Sequence, residues 1–168
     1  DWMDANPEYK REGFKYVFLA YSDALQPPFR NYSTGEWKMS DEVESPEGVN
    51  LVPFVAQDKF NYSKSLYDTD NNSVRRFVED WAAVYDDCMA WSYGTFFYDY
   101  LCFYDSFGFY SEYYKLLKEN KYMYTFAQIH DCQRGADTGF GVLHNYLCSK
   151  LAWNSDLDVN KLVDNYFK

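Results

Sequence analysis

Apolar residues along this chain gather in four short runs, each opening into a turn rich in aromatic and polar side chains: Phe14–Ser22, Val49–Gln57, Cys88–Tyr93 and Tyr122–Gln128. Runs of this length, bounded by turn-forming residues, read as strands. After the second run the pattern changes to a helical period. Val74, Phe77, Val78, Trp81, Val84 and Tyr85 form one apolar stripe between Asn72-Ser73 and Asp87, with Asn72 or Ser73 as the cap. A second helix is predicted over Phe109–Glu119, where Tyr110, Tyr113, Tyr114, Leu116 and Leu117 supply the apolar part and Asn120 the stop. A third runs from about Gly139 to Trp153, and a last short one starts at Asp158 with Val159, Leu162, Val163, Tyr166 and Phe167 on one face.

Strands that alternate with helices predict an α/β fold with a parallel sheet and crossover helices. The first strand carries the nearly continuous apolar run Tyr16-Val17-Phe18-Leu19-Ala20, the pattern of a strand covered on both faces. Pro53 cannot donate a ladder hydrogen bond, so a bulge or irregular stretch is expected in the second strand. Residues 1–13 read as the tail of a helix and its exit, broken at Asn6-Pro7 and Gly13. Pro27-Pro28 forces a long loop through Asn31, Tyr32, Gly35 and Trp37 to Pro46 and Gly48. Ligands of parallel sheets gather beyond the carboxyl ends of the strands, so the turns after Tyr21, Ala56, Trp91 and Gln128 are where function is expected.

Length narrows this picture. A chain of 168 residues suits a single domain, yet a closed eight-stranded barrel typically takes roughly 250. The sheet is therefore open, or the chain is a segment of something larger. The start, Asp1-Trp2-Met3-Asp4, has neither the basic nor the apolar region of a signal peptide and no initiator Met, which leads us to expect a piece of a longer precursor. No apolar run approaches the 18 or so residues of a membrane span. The net charge of −10 repels phosphate backbones, and no basic cluster offsets it, so neither a nucleic acid nor a membrane is an expected partner.

Candidate chemistry follows from the turns. The chain holds 18 Tyr and 14 Phe, more than a core requires, and a Tyr-rich acidic surface suits ligands that are themselves amphipathic, sugars above all. Cys88, Cys102, Cys132 and Cys148 show no C-x-x-C pair or zinc spacing, and only His130 and His144 could complement them, so neither a metal nor another cofactor is expected. Cys88 and Cys148 are expected as core thiols, and the spacing selects no disulfide pairing. Gly-rich phosphate loops, the G-x-S-x-G elbow and H-E-x-x-H are all absent.

Three segments carry a family resemblance. They are Phe18-Leu19-Ala20-Tyr21 followed by Leu25-Gln26-Pro27-Pro28, the strand Met89-Ala90-Trp91-Ser92-Tyr93, and Leu147-Cys148-Ser149-Lys150-Leu151-Ala152-Trp153-Asn154-Ser155-Asp156-Leu157-Asp158-Val159. In this order they resemble a bacterial family of unassigned function, domain of unknown function 4838, whose members look like sugar-processing (β/α) barrels. The resemblance implies that residues 1–168 form a single segment, the C-terminal half of a glycosidase-like (β/α)8 TIM barrel. It also implies a bacterial protein, secreted or at the cell surface, with a saccharide as ligand. Its further partner would be the N-terminal half of the barrel or a second copy. Where family members commonly have Phe-Glu-Gln and Trp-Asp-Tyr, this chain has Phe126-Ala127-Gln128 and Trp91-Ser92-Tyr93.

Glycoside hydrolysis usually needs two carboxyl groups about 5 to 9.5 Å apart. Among the strand-exit carboxylates Asp23, Asp58, Asp99, Asp131 and Asp137, the expected pair is Asp58 and Asp131, immediately beyond the second and fourth strands, although each could equally cap a turn. His130 would serve as proton donor or hydroxyl ligand, unless it merely closes its turn. Arg134 would clamp a sugar carboxylate, or pair with Asp131 or Asp137. Trp91 and Tyr93, with Phe60 and Tyr62, are expected to form a stacking floor for a sugar ring, beside Gln128. His144, within a helix, is expected to be structural.

Overall fold

The computed structural model describes residues 2–9, 13–37, 50–94, 104–129 and 140–168. A one-turn helix α1 (Trp2–Ala5) precedes β1 (Lys15–Ala20). There follow β2 (Asn50–Ala56), α2 (Asn72–Val84), β3 (Met89–Tyr93), α3 (Phe107–Glu119), β4 (Tyr124–Gln128), α4 (Gly141–Trp153) and α5 (Val159–Tyr166). The four strands form one sheet in the order β1-β2-β3-β4, and every neighbouring pair is parallel. The expected α/β architecture is therefore present. The helix α3 starts two residues before the predicted Phe109, and α2 ends three short of Asp87.

Pro53 corrects an expectation. It lies inside a regular strand, opposite Phe18 of β1, with no bulge. The reason is a matter of sides. Gln57 donates its backbone N–H to Trp91 of β3, so by period-two alternation residues 55 and 53 face β3 as well. Pairing with β3 begins only at Phe54, which means that the missing N–H of Pro53 falls just before the ladder starts.

The register separates two unlike faces. Phe18, Ala20, Val55, Ala90 and Ala127 look toward the helices and join the core with Trp81, Tyr110, Tyr113, Leu117, Leu147 and Leu151. The small residues of β3 and β4 leave room there for the tyrosines of α3, all buried. The opposite face carries Val17, Leu19, Phe54, Met89, Trp91, Tyr124 and Phe126, with no described helix over it. Leu19 and Tyr124 are each 50% exposed, whereas Val52 and Ala56 on the same face are buried, so among the described residues this apolar face is open chiefly along β1 and β4. The continuous apolar pattern of β1 predicted cover on both sides; the described residues cover one.

The long segment after β1 is fastened to α2. Arg30 (Nη1 to Oδ1, 2.9 Å) and Tyr32 (hydroxyl to Oδ2, 2.8 Å) both donate to the buried carboxylate of Asp80, and Trp81 donates its indole N–H to the Leu25 carbonyl at 2.9 Å. Burial, seconded by the bond to Asp80, holds the Tyr32 phenol well above its ordinary titration range. Arg30 also lies over the Trp37 ring at 4.7 Å. At the other end of the sheet, Lys15 is paired with Asp87. Cys88 and Cys148 are buried free thiols, as expected, and burial pushes each up to about 12. Among the described residues no helix is long and apolar enough to cross a membrane.

Replacing Asp80 removes one acceptor from two donors at once. Asp80→Ala is expected to lower stability by roughly 2–3 kcal/mol in urea unfolding, because the Arg30 charge loses its buried partner. A change within about 0.5 kcal/mol would show that water satisfies both donors and that the clamp does not hold the segment.

Candidate functional site

Parallel pairing brings the four strand exits to one end of the sheet, each contributing side chains. Tyr21 follows β1, Gln57 and Asp58 follow β2, Trp91 and Tyr93 end β3, and Gln128 ends β4. Trp91 and Tyr93 are two residues apart on the bare face and stack at 6.1 Å with an interplanar angle of 27°. Phe126 meets Trp91 edge-on at 4.9 Å and Phe54 lies 5.5 Å away, so the indole is held by rings on both neighbouring strands. Its N–H donates to the Gln128 side chain at 3.2 Å. Trp91 and Gln128 are thereby joined across β3 and β4, and both remain partly exposed.

Asp58 sits in the tight turn that leaves β2, where its own N–H bonds back to the Ala56 carbonyl. One carboxylate oxygen lies 3.3 Å from Lys59 Nζ; the other is buried and has no hydrogen-bond partner. Its charge reaches the Tyr93 phenol. Burial first, then the neighbouring Tyr21 and Asp58, push Tyr93 up to about 12, and its hydroxyl is bonded to Tyr21. Three strands are therefore linked through Tyr21, Tyr93 and Asp58. Tyr21 was not singled out as a site residue in the sequence, since its partner is 72 positions away in β3 and nothing local marks the pairing.

Phe60 and Tyr62 correct an expectation. Neither ring is available as a stacking floor: Phe60 packs against Phe109 at 5.2 Å and Tyr62 against the same ring at 4.6 Å, both buried in the layer under α3. An aromatic residue just past a strand exit is drawn down by the apolar α3 face rather than left at the mouth. Tyr62 nonetheless shapes the site. Its hydroxyl donates to the Gln57 carbonyl at 2.6 Å and accepts from the Tyr93 N–H at 2.9 Å. It stands where the next residue of β2 would have provided a rung, and so prolongs the sheet by one step beyond the strand end. The loop carrying it is fixed by Asn71, whose side chain bonds the backbone of Asn61 and Ser65, and by Glu112, which accepts from the Ser65 hydroxyl and the Leu66 N–H.

Some of the buried polar groups without partners lie at this end. Both side-chain polar atoms of Gln57 are buried and unbonded among the described residues, while the buried Ser92 hydroxyl adjoins that of Tyr110. Ser92 and Ala127 lie on the helix side of the sheet. Gly94 continues from β3 beside Ile129 and beneath Tyr110: a Cβ there would come within 2.7 Å of the Tyr110 hydroxyl, so no larger residue fits without displacement.

The helices that follow β3 and β4 begin at the same end and are joined by a buried pair. The Ser106 hydroxyl, immediately before α3, lies 2.9 Å from His144 Nε2 in the first turn of α4. The Phe107 ring rests 4.4 Å from the imidazole, and Nδ1 has no partner. Burial pushes His144 from its ordinary 6.5 down to about 4, with Asp105 opposing the shift. Of the remaining expected site residues, His130, Asp131 and Arg134 lie outside the described residues, as do Asp99, Asp137, Cys102 and Cys132.

A parallel α/β sheet with an aromatic and carboxylate-bearing exit end is the class these elements define. The chain belongs to the family described as domain of unknown function (DUF4838), whose model matches residues 18–168. No curated protein and no solved structure matches it.

Two measurements follow. Tyr62→Phe leaves a buried carbonyl and a buried N–H unpaired, and a loss of about 1–3 kcal/mol in chemical unfolding is expected with the secondary structure unchanged. A neutral substitution would show that the rung is dispensable. Because the unfolded chain protonates His144 near 6.5 and the folded one only near 4, stability is full above pH 6.5 and falls as pH drops toward 4, by roughly 3 kcal/mol. His144→Gln should flatten that part of the pH–stability curve; an unchanged slope would assign it to other groups.

Proposed function

We propose that this chain is the C-terminal half of a glycosidase-like (β/α)8 barrel from a bacterial carbohydrate-processing protein and that its strand-exit end contacts a saccharide. The observation that carries this reading is the meeting of Tyr21, Asp58, Trp91, Tyr93 and Gln128 from all four strands at that end. A flat indole with a hydrogen-bonded phenol beside it offers a sugar ring both an apolar platform and polar edges. The buried, unpartnered oxygen of Asp58 is suited to accept a sugar hydroxyl or to take part in acid/base chemistry. Asp131 would be the second carboxylate, with His130 beside it and Arg134 available to a sugar carboxylate. The further partner in this reading is the other half of the barrel or a second copy of the chain.

A second reading keeps the saccharide and drops the chemistry. Ser92 and Ala127 stand where family members commonly carry acids, which favours a noncatalytic binding or assembly domain of the same fold. The two readings divide on turnover. With an incomplete acid/base set the chain alone is expected to hydrolyse none of a broad panel of aryl glycosides. Robust hydrolysis abolished by Asp58→Asn or Asp131→Asn would sink both the fragment and the noncatalytic readings.

Binding is expected to depend on the indole. Trp91→Ala should weaken saccharide affinity by about 1–3 kcal/mol in calorimetric titration, with an unchanged circular dichroism spectrum. Should the variant unfold instead, Trp91 is a packing residue and the site assignment fails.

A further inference from the structure

A cavity of about 430 Å³ opens at the end of the molecule opposite the strand exits. Its walls are the last turns of α3 and α4, the first residues of β4 and the turn that leaves α4, all between Tyr114 and Ser155. Residues 95–103 and 130–139 join α3 and α4 at their far, N-terminal ends, and the start of the chain contributes nothing to the lining. Three observations single the cavity out. The first is Ser155, 5% exposed, whose hydroxyl is buried on the wall without a hydrogen-bond partner. A buried hydroxyl left unbonded costs stability, and a fold retains one where something else supplies the bond. The second is charge. The chain holds 26 acidic against 16 basic residues, yet the lining carries Lys118 and Lys121 and no acid. Lys118 is engaged by the exposed Asp156 at 2.8 Å, whereas Lys121 forms no ion pair among the described residues. The third is the backbone of Lys121, which closes α3 in the left-handed region at φ 57. Its N–H bonds the Lys118 carbonyl, and that of Tyr122 bonds the Leu117 carbonyl. Glycine is the residue this helix ending favours, so the lysine keeps a strain that a glycine would relieve.

We propose that this cavity binds a small organic carboxylate, its apolar body against Trp153 and Met123 and its carboxylate held by the Lys121 ammonium and the Ser155 hydroxyl. The ammonium gives a charge-assisted bond and the hydroxyl a second donor, one for each oxygen of the carboxylate. The rest of the lining suits the body of such a ligand. Leu117 and Leu151 lie within, and the Trp153 ring, 92% exposed, stands at the rim. The volume is that of a small-molecule site. A neutral sugar would leave the ammonium unmatched, so this site is separate from the strand exits in place and in chemistry, and it does not rest on the saccharide reading.

Phenylacetate and its neutral counterpart phenylacetamide are the probes, titrated into isotope-labelled chain and followed by NMR at the backbone amides of Lys121, Met123 and Ser155. Phenylacetate is expected to shift these amides saturably, and phenylacetamide to bind about tenfold more weakly, since it leaves the ammonium unpaired. Lys121→Gly should lower the affinity for phenylacetate about tenfold while the thermal midpoint stays unchanged or rises, because glycine takes the left-handed position without strain. Ser155→Ala should also weaken binding with no loss of stability, because it removes a hydroxyl that has no partner. A lysine or serine kept for structure alone would show the reverse. Absence of a saturable shift, equal binding of the two probes, or variants that lose stability and keep their affinity each overturn the proposal. Shifts centred on Tyr93 and Gln128 would place the ligand at the strand exits and overturn it as well. Should Ser155→Ala fail to fold, the exposed Lys121→Gly and the comparison of the two probes decide.

Discussion

Parallel pairing is the constraint from which the remaining features descend. Strands that all start at one end must be joined by crossovers, and the described crossovers put α2 and α3 against one side of the sheet. Their apolar stripes bury that side, and the same geometry gathers all four exits at the opposite end from the turns that enter the strands. The site is thus a product of chain direction before it is a product of any single residue. Tyr62 shows how closely the two are tied. A ring drawn into the helix layer by apolar contact carries a hydroxyl that extends the strand pairing and fixes the Tyr93 backbone, and with it one side of the aromatic exit.

The elements most legible in the sequence were those whose pattern is repeated within a few residues. The strand runs ending at Ala20, Ala56, Tyr93 and Gln128 and the stripe from Val74 to Val84 were readable because burial imposes a period of two or 3.6 on neighbouring positions. Pro53 was misread because proline is judged by the hydrogen bond it lacks, and which side of the strand that bond would face depends on the length of β3, some 35 residues away. Phe60 and Tyr62 were misread for a related reason: proximity to an exit does not decide between mouth and core when a helix as aromatic as α3 lies alongside. The Ser106–His144 pair and the Tyr21–Tyr93 contact left no local trace. Each joins residues with opposite neighbours in sequence, and only the sheet order brings them together.

Buried polar groups without partners occur at the exits and also in the helix layer, where the Tyr113 hydroxyl, His144 Nδ1 and the Ser155 hydroxyl are among them. At the exits, Gln57 and one oxygen of Asp58 stand within two residues of a strand end. Unbonded groups in such a place cost stability, and a fold retains them where a ligand or solvent supplies the missing bond. The helix layer beneath is otherwise dense with ring-on-ring contacts among Phe60, Tyr62, Phe109 and Tyr113, so the contrast lies between a closed apolar floor and an unfinished polar rim.

The clamp on Asp80 has a kinetic side. Arg30 reaches across 50 positions to a helix made after β2, so the segment behind β1 finds its anchor only once α2 has condensed. Each strand meets its neighbour at the same sequence offset, Lys15 with Asn50, Phe54 with Met89 and Met89 with Tyr124, so loop closure favours no pair over another. β1 and β4 are each held on one edge only, but the segment behind β1 is tied to α2 as well, so whatever loosens α2 releases β1 with it.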